Sequence, residues 1–92
     1  MARATFELPS VLASVIGGVQ RLQVEGETLR AALEHAFEQQ PALRVHLFDE
    51  SGELRRHVLC FLNQSNSRWL DSLDEKLTKG DRITILQAVS GG

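Results

Sequence analysis

The 92-residue chain holds one cysteine, one tryptophan, one methionine, two prolines and no tyrosine. A single cysteine, Cys60, excludes an internal disulfide framework. The longest apolar stretch, VLASVIGGV, falls far short of the ~20 residues a membrane-spanning helix needs. The opening MARATFELPS has neither the apolar core nor the cleavage pattern of a secretory leader, so the cytoplasm is the expected compartment and no membrane partner is expected. Neither sign of charge is in excess: 10 Lys and Arg stand against 12 Asp and Glu, for a formal net charge of −2. A nucleic-acid partner is therefore not expected, because such binders cluster Lys and Arg to replace phosphate counterions.

Catalytic patterns are scarce as well. His35, His46 and His57 lack metal-ligand spacing, and no metal site is expected. No Ser-His-Asp set, phosphate loop or paired-carboxylate motif is recognisable. A lone strand cysteine such as Cys60 is more often a small buried hydrophobe than a nucleophile. Trp69 reads as a packing residue. The chain is expected to be no enzyme and to bind no cofactor of its own.

What is present is an ordinary globular composition, 42% hydrophobic and 24% charged, at a length that makes one domain. RATFELP alternates, with Ala4, Phe6 and Leu8 on one side, and Pro9 ends the strand. SVLASVIGG closes on a Gly17-Gly18 turn. VQRLQVEG resumes apolar residues at Val19, Leu22 and Val24, with a change of phase that implies a bulge or a late strand start. From Thr28 the period changes. Leu29, Ala32, Leu33, Ala36, Phe37 and Gln40 fall at i, i+3, i+4, i+7, i+8 and i+11, one core-facing helical stripe. Thr28 is the N-cap and Pro41 lies at or beyond the end. ALRVHLFDESGELRR reads as a connector with turn chemistry at Asp49 to Gly52. HVLCFLNQ is the most apolar strand. SRWL is a candidate short strand, Leu73 and Leu77 have helical spacing, and RITILQAV is the last strand, with Ile83 and Ile85 on one face.

These spacings predict a sheet of residues 3–8, 19–25, 57–63 and 82–87 with residues 28–40 helical across it. The class is α+β. The domain is expected over residues 1–87, with a tail over 88–92. The middle strand is apolar on both sides. With Leu59 and Phe61 placed toward the helix, Val58, Cys60 and Leu62 face outward and join Thr84 and Leu86 of the last strand. Two apolar faces and one helix leave one face needing a cover, so a protein partner is expected there.

The segments LPSVL, IGG, VEGETL, SGELRRHVLCFLNQ and LDEKLTKGDRITIL, followed by terminal AVSGG, give the chain a resemblance to the small sulfur-carrier proteins of the ubiquitin-like superfamily. That group includes the small subunit of molybdopterin synthase, the thiamine-thiazole sulfur carrier and the carrier of a thiocarboxylate-dependent cysteine route. Chain length and the FDESGELRR insert are more similar to the last. Members often carry Pro where Gln87 stands and Ala where Ser90 stands. The resemblance implies a β-grasp roll with a mixed sheet of four to five strands and one main helix. It also implies a function: Gly92 is the site of adenylation and sulfur attachment, and Gly91, Ser90 and Val89 thread into a partner.

The chemistry of that end is explicit. An α-carboxylate is anionic at neutral pH and resists nucleophiles. Attack by the Gly92 carboxylate on the α-phosphate of ATP, held by an adenylating enzyme, gives an acyl-adenylate and pyrophosphate. Sulfide or a persulfide then displaces AMP and leaves a thiocarboxylate, which a sulfur-acceptor enzyme consumes. Glycine lets backbone enter a slot that side chains would obstruct, and Ala88 to Gly92 can reach about 16–18 Å. The same tail also serves a ubiquitin-like modifier that forms isopeptides on lysine. A β-grasp interaction domain with an inert tail is the third reading.

Overall fold

The computed structural model describes residues 2–66 and 72–87. The tail 88–92 and the candidate strand SRWL, with Trp69, lie outside them. Strand β1 spans Ala2–Glu7 and β2 spans Arg21–Gly26, paired antiparallel with Phe6 opposite Leu22 and Ala4 opposite Val24. The second strand starts late, and Val19 lies outside it, exposed. The loop between them is not featureless. It holds a short helix, α1, Ser10–Ala13, and a 3-10 turn, Ser14–Ile16, that seat Leu12 and Ala13 in the core. Gly17 ends the turn at φ 79, a conformation that glycine reaches without Cβ strain.

Helix α2 runs Leu29–Gln39, and its buried residues are Leu29, Ala32, Leu33, Ala36 and Phe37, the expected stripe except for Gln40, which caps the helix end and is half-buried. The Thr28 side-chain oxygen accepts the Ala31 N–H at 3.2 Å, which satisfies one orphan donor of the first turn. Before it, Gly26 brings β2 against the helix. A Cβ built there would stand 2.6 Å from the Ala32 nitrogen and 2.9 Å from the Ala31 carbonyl carbon, so the backbone itself excludes a side chain.

The connector departs from expectation, because Ala42–Leu47 forms a further helix, α3. Leu43 and Leu47, one turn apart, bury its inner side, and Phe48 after it meets Phe37 edge to face with ring centroids 4.9 Å apart. The Arg44 guanidinium lies 5.0 Å from the Phe37 ring centroid and pairs with Glu34. The following turn is as expected. Asp49 accepts hydrogen bonds from the Ser51 hydroxyl and from the Ser51 and Glu53 amides, and Gly52 takes φ 85. Those bonds, the Ser51 hydroxyl foremost, hold the Asp49 carboxyl below its ordinary pKa.

Strand β3 spans Val58–Leu62, β4 is the two-residue Ser65–Asn66, and β5 spans Asp81–Gln87. Between β4 and β5, Leu73 and Leu77 both reach the core, and the regular turn among the described residues there is the 3-10 segment Ser72–Asp74 rather than a full α-helical turn. The five strands lie in the order β2-β1-β5-β3-β4. The last strand is thus central, parallel to β1 and antiparallel to β3. With α2 across one face, this is the expected β-grasp arrangement.

Candidate functional site

Register decides which side chains each face presents. Cys60 lies opposite Ile85, Leu62 opposite Ile83 and Val58 opposite Gln87. Directly opposed residues in an antiparallel pair share a face. Since Ile83 and Ile85 are fully buried, Val58, Cys60 and Leu62 are drawn inward with them, at 0%, 1% and 8% exposure. The expectation that these three face outward for docking is therefore corrected. Leu59 and Phe61 take the outer face instead, opposite Leu86 and Thr84. Leu59, Phe61 and Thr84 are half-buried, and Leu86 is 43% exposed.

The outer face thus has an apolar half, built by β3 and β5, and a charged half, built by β1 and β2. The seam between them is Glu7, which pairs with Thr84 in register. Its carboxylate lies 3.7 Å from Arg21 and 3.4 Å from Arg82. Such surface pairs contribute little to stability, but they fix where charge begins beside Leu86 and Phe61.

The start of β5 is held by a polar cluster. The Thr78 amide and hydroxyl donate to Asp81 at 2.8 and 3.0 Å, and the Asn63 side-chain amide donates to it at 3.2 Å. The Asn63 side-chain oxygen in turn accepts the Arg82 N–H at 3.0 Å. Burial pushes the Asp81 carboxyl up, but the Thr78 amide, the Asn63 side chain and the Thr78 hydroxyl outweigh it and hold the pKa below the ordinary value. Gly80, at φ 88, makes the tight turn and donates its N–H to Arg3 at 3.0 Å. The KGDR segment is therefore the device that feeds β5 into the centre of the sheet. Strand β5 then runs to Gln87, beside the first residue of β3. Val89, Ser90, Gly91 and Gly92, the predicted threading and attachment residues, lie outside the described residues.

The other candidates resolve as follows. Cys60 is buried, which removes it from direct reach of a partner. His46 and His57 are exposed, and His35 is half-buried, with Nδ1 accepting the Glu25 N–H at 2.9 Å. Among the described residues, no group of three or more His, Cys, Asp or Glu is placed to hold a metal ion, and no helix is long and apolar enough to cross a membrane.

The model of the ThiS family matches residues 9–92, through the last glycine. The chain belongs to the ThiS family. It is 31% identical over 90 residues to the sulfur carrier protein CysO of Mycobacterium tuberculosis (strain H37Rv), covering 96% of this chain and 97% of that one. The chain is similar to the structure of the Amycolatopsis orientalis BexX/CysO complex, with a TM-score of 0.86, 26% identity and coverage of 97% and 99%. It is also similar to the small archaeal modifier protein 1 of Methanosarcina acetivorans, with a TM-score of 0.85, 32% identity and coverage of 100% and 98%. The neighbours carry the same β-grasp fold, so the fold read from the sequence holds.

Proposed function

We propose that this chain is a sulfur carrier whose Gly92 carboxylate is activated by a partner and converted to a thiocarboxylate. The observation that carries the reading is the family match extending to Gly92, beyond a strand held at the centre of the sheet. The partner supplies ATP and an adenylating site, and the carrier supplies the acyl group. The Gly92 carboxylate oxygen bonds to the α-phosphorus and pyrophosphate leaves. Hydrosulfide then adds to the acyl carbon and AMP leaves with the electron pair of the broken C–O bond, giving the thiocarboxylate. A second enzyme takes the sulfur for a biosynthetic product such as cysteine.

The apolar half of the outer face is the docking surface for the adenylating enzyme. Leu59 and Phe61 on β3 and Leu86 on β5, the strand that precedes the tail, give it apolar area, and Thr84 of β5 lies among them. The Glu7–Arg82 seam limits it on one side. The similarity to a small archaeal modifier protein supports a second reading, in which the adenylated Gly92 is transferred to a lysine amine. The two readings differ in product. Incubation with a co-encoded adenylating enzyme, ATP and sodium sulfide gives a thiocarboxylate under the first and lysine isopeptides under the second, separable by intact-mass and peptide analysis. Formation of neither product sinks both.

A further inference from the structure

Strand β2 lies at an edge of the sheet, where one side of its backbone has no strand neighbour. Such an edge is a template for unwanted strand pairing unless it is covered. Helix α2 covers it with side chains rather than with backbone. The Glu25 N–H donates to His35 Nδ1 at 2.9 Å, and the Gln39 side-chain amide donates to the Gln23 carbonyl at 2.7 Å. The spacings match. Four residues of helix advance about 6 Å, and two residues of strand advance about 6.8 Å. The pairing runs antiparallel, 35 with 25 and 39 with 23, because Glu27 and Thr28 turn the chain straight back from β2 into α2.

The two halves of this cover differ in chemistry. A glutamine amide does not titrate in the physiological range, whereas an imidazole can. Accepting a hydrogen bond at Nδ1 requires that nitrogen to be unprotonated, with the ring proton on Nε2. A proton added at Nδ1 turns the acceptor into a donor facing the Glu25 donor. Glu25, Glu34 and Glu38 line a groove of about 420 Å³ beside the ring, with Gly26 and Ala31. Arg3 pairs with Glu25, and Arg44 pairs with Glu34. The groove gives a charged ring room to turn from the strand toward carboxylates on both elements.

We propose that His35 and Gln39 form a side-chain lock over the free edge of β2, and that protonation of His35 opens its own half of the lock while the Gln39 half stays shut. Opening leaves the Glu25 amide without its side-chain acceptor on the free edge of β2.

The test follows the Glu25 and Gln23 amides and the His35 ring by NMR from about pH 8 to about pH 5. The Glu25 amide should shift upfield with the same midpoint as the imidazole. Its hydrogen exchange, corrected for the intrinsic pH dependence, should speed about tenfold, the equivalent of one net hydrogen bond. Gln23 should not follow. In His35→Gln, which keeps an acceptor oxygen and cannot titrate, the Glu25 response should vanish. In His35→Ala the amide should be open at every pH. A Glu25 amide that keeps its shift and protection across the range overturns the proposal, whether or not the ring titrates. So does a response that survives in His35→Gln.

Discussion

The two faces of the one sheet teach most by their difference. The inner face is a closed set: Ala4, Phe6, Leu22, Val24, Val58, Cys60, Leu62, Ile83 and Ile85 are all buried against α2, α3 and the loops. It carries one charged side chain, Asp81, at its margin, and that carboxylate is fully engaged. Among the described residues, the helices pack on the inner face and leave the outer one uncovered. Its β1 and β2 half is a lattice of Arg3, Glu7, Arg21 and Glu25, to which Arg82 at the start of β5 pairs through Glu7. Its β3 and β5 half is apolar and only partly hidden. Adjacent residues of one strand, Phe61 and Leu62, therefore do different work: one is available to a partner, and the other holds the fold.

The sharpest way to break this contrast is to put the same charge on each side of it. Leu62→Asp places a carboxylate in the core with no partner and should cost at least about 3 kcal/mol in urea denaturation. Leu86→Asp, on the outer face, should cost under about 1 kcal/mol. Equal losses would mean that the faces are not distinct. Gly26→Ala asks how tightly the inner layer is closed. The added methyl meets helix backbone rather than a flexible side chain, and overpacking of this kind costs ~1–3 kcal/mol. A variant as stable as the parent would show that the helix can retreat.

Under the proposed docking, the outer face is tested by binding rather than by stability. Phe61→Asp and Leu86→Asp should each weaken affinity for the adenylating enzyme about tenfold or more by calorimetry, because a carboxylate hydrated in the free protein is desolvated in the complex. Unchanged affinity in both would remove this face from the docking surface.

The smallest effect belongs to Asp81. Its pKa is lowered in the folded state, so its contribution is present above the unfolded-state pKa and fades as pH falls through the lower folded value. The stability gap between the parent and Asp81→Asn should therefore be widest near neutral pH and close below about pH 4. A gap that is constant from about pH 7 to about pH 2 would show that the ionised carboxylate contributes nothing.

The sequence shows unequally what built these faces. Strands β1, β2 and β5 and helix α2 were legible, because each has one apolar side and hence one definite phase. Strand β3 was legible as a strand but not in orientation. Val58 to Leu62 are all apolar, and a period of two carries no phase when both sides look alike. The missing information was long-range: Cys60 pairs with Ile85, and only that register turns Cys60 inward. A consistency check was available, since Val58, Cys60 and Leu62 could not face out beside an antiparallel strand whose Ile83 and Ile85 face in. Helix α3 was missed because it is six residues long and joined to a turn-rich segment. Its signal was Leu43 and Leu47, four apart directly after Pro41. The cover on the β2 edge was beyond reach of local pattern, since His35 and Gln39 show their role only when the strand lies beside them.

The central claim is that sulfur travels on Gly92 and nowhere else in the chain. The most direct measurement is fragment-resolved mass spectrometry of the protein after reaction with its adenylating enzyme, ATP and sodium sulfide. The account predicts one oxygen-for-sulfur exchange, confined to the C-terminal fragment that ends in Gly92 and absent when Gly92 is deleted. An exchange that survives the deletion of Gly92, or one that maps to a fragment other than the C-terminal one, would contradict it.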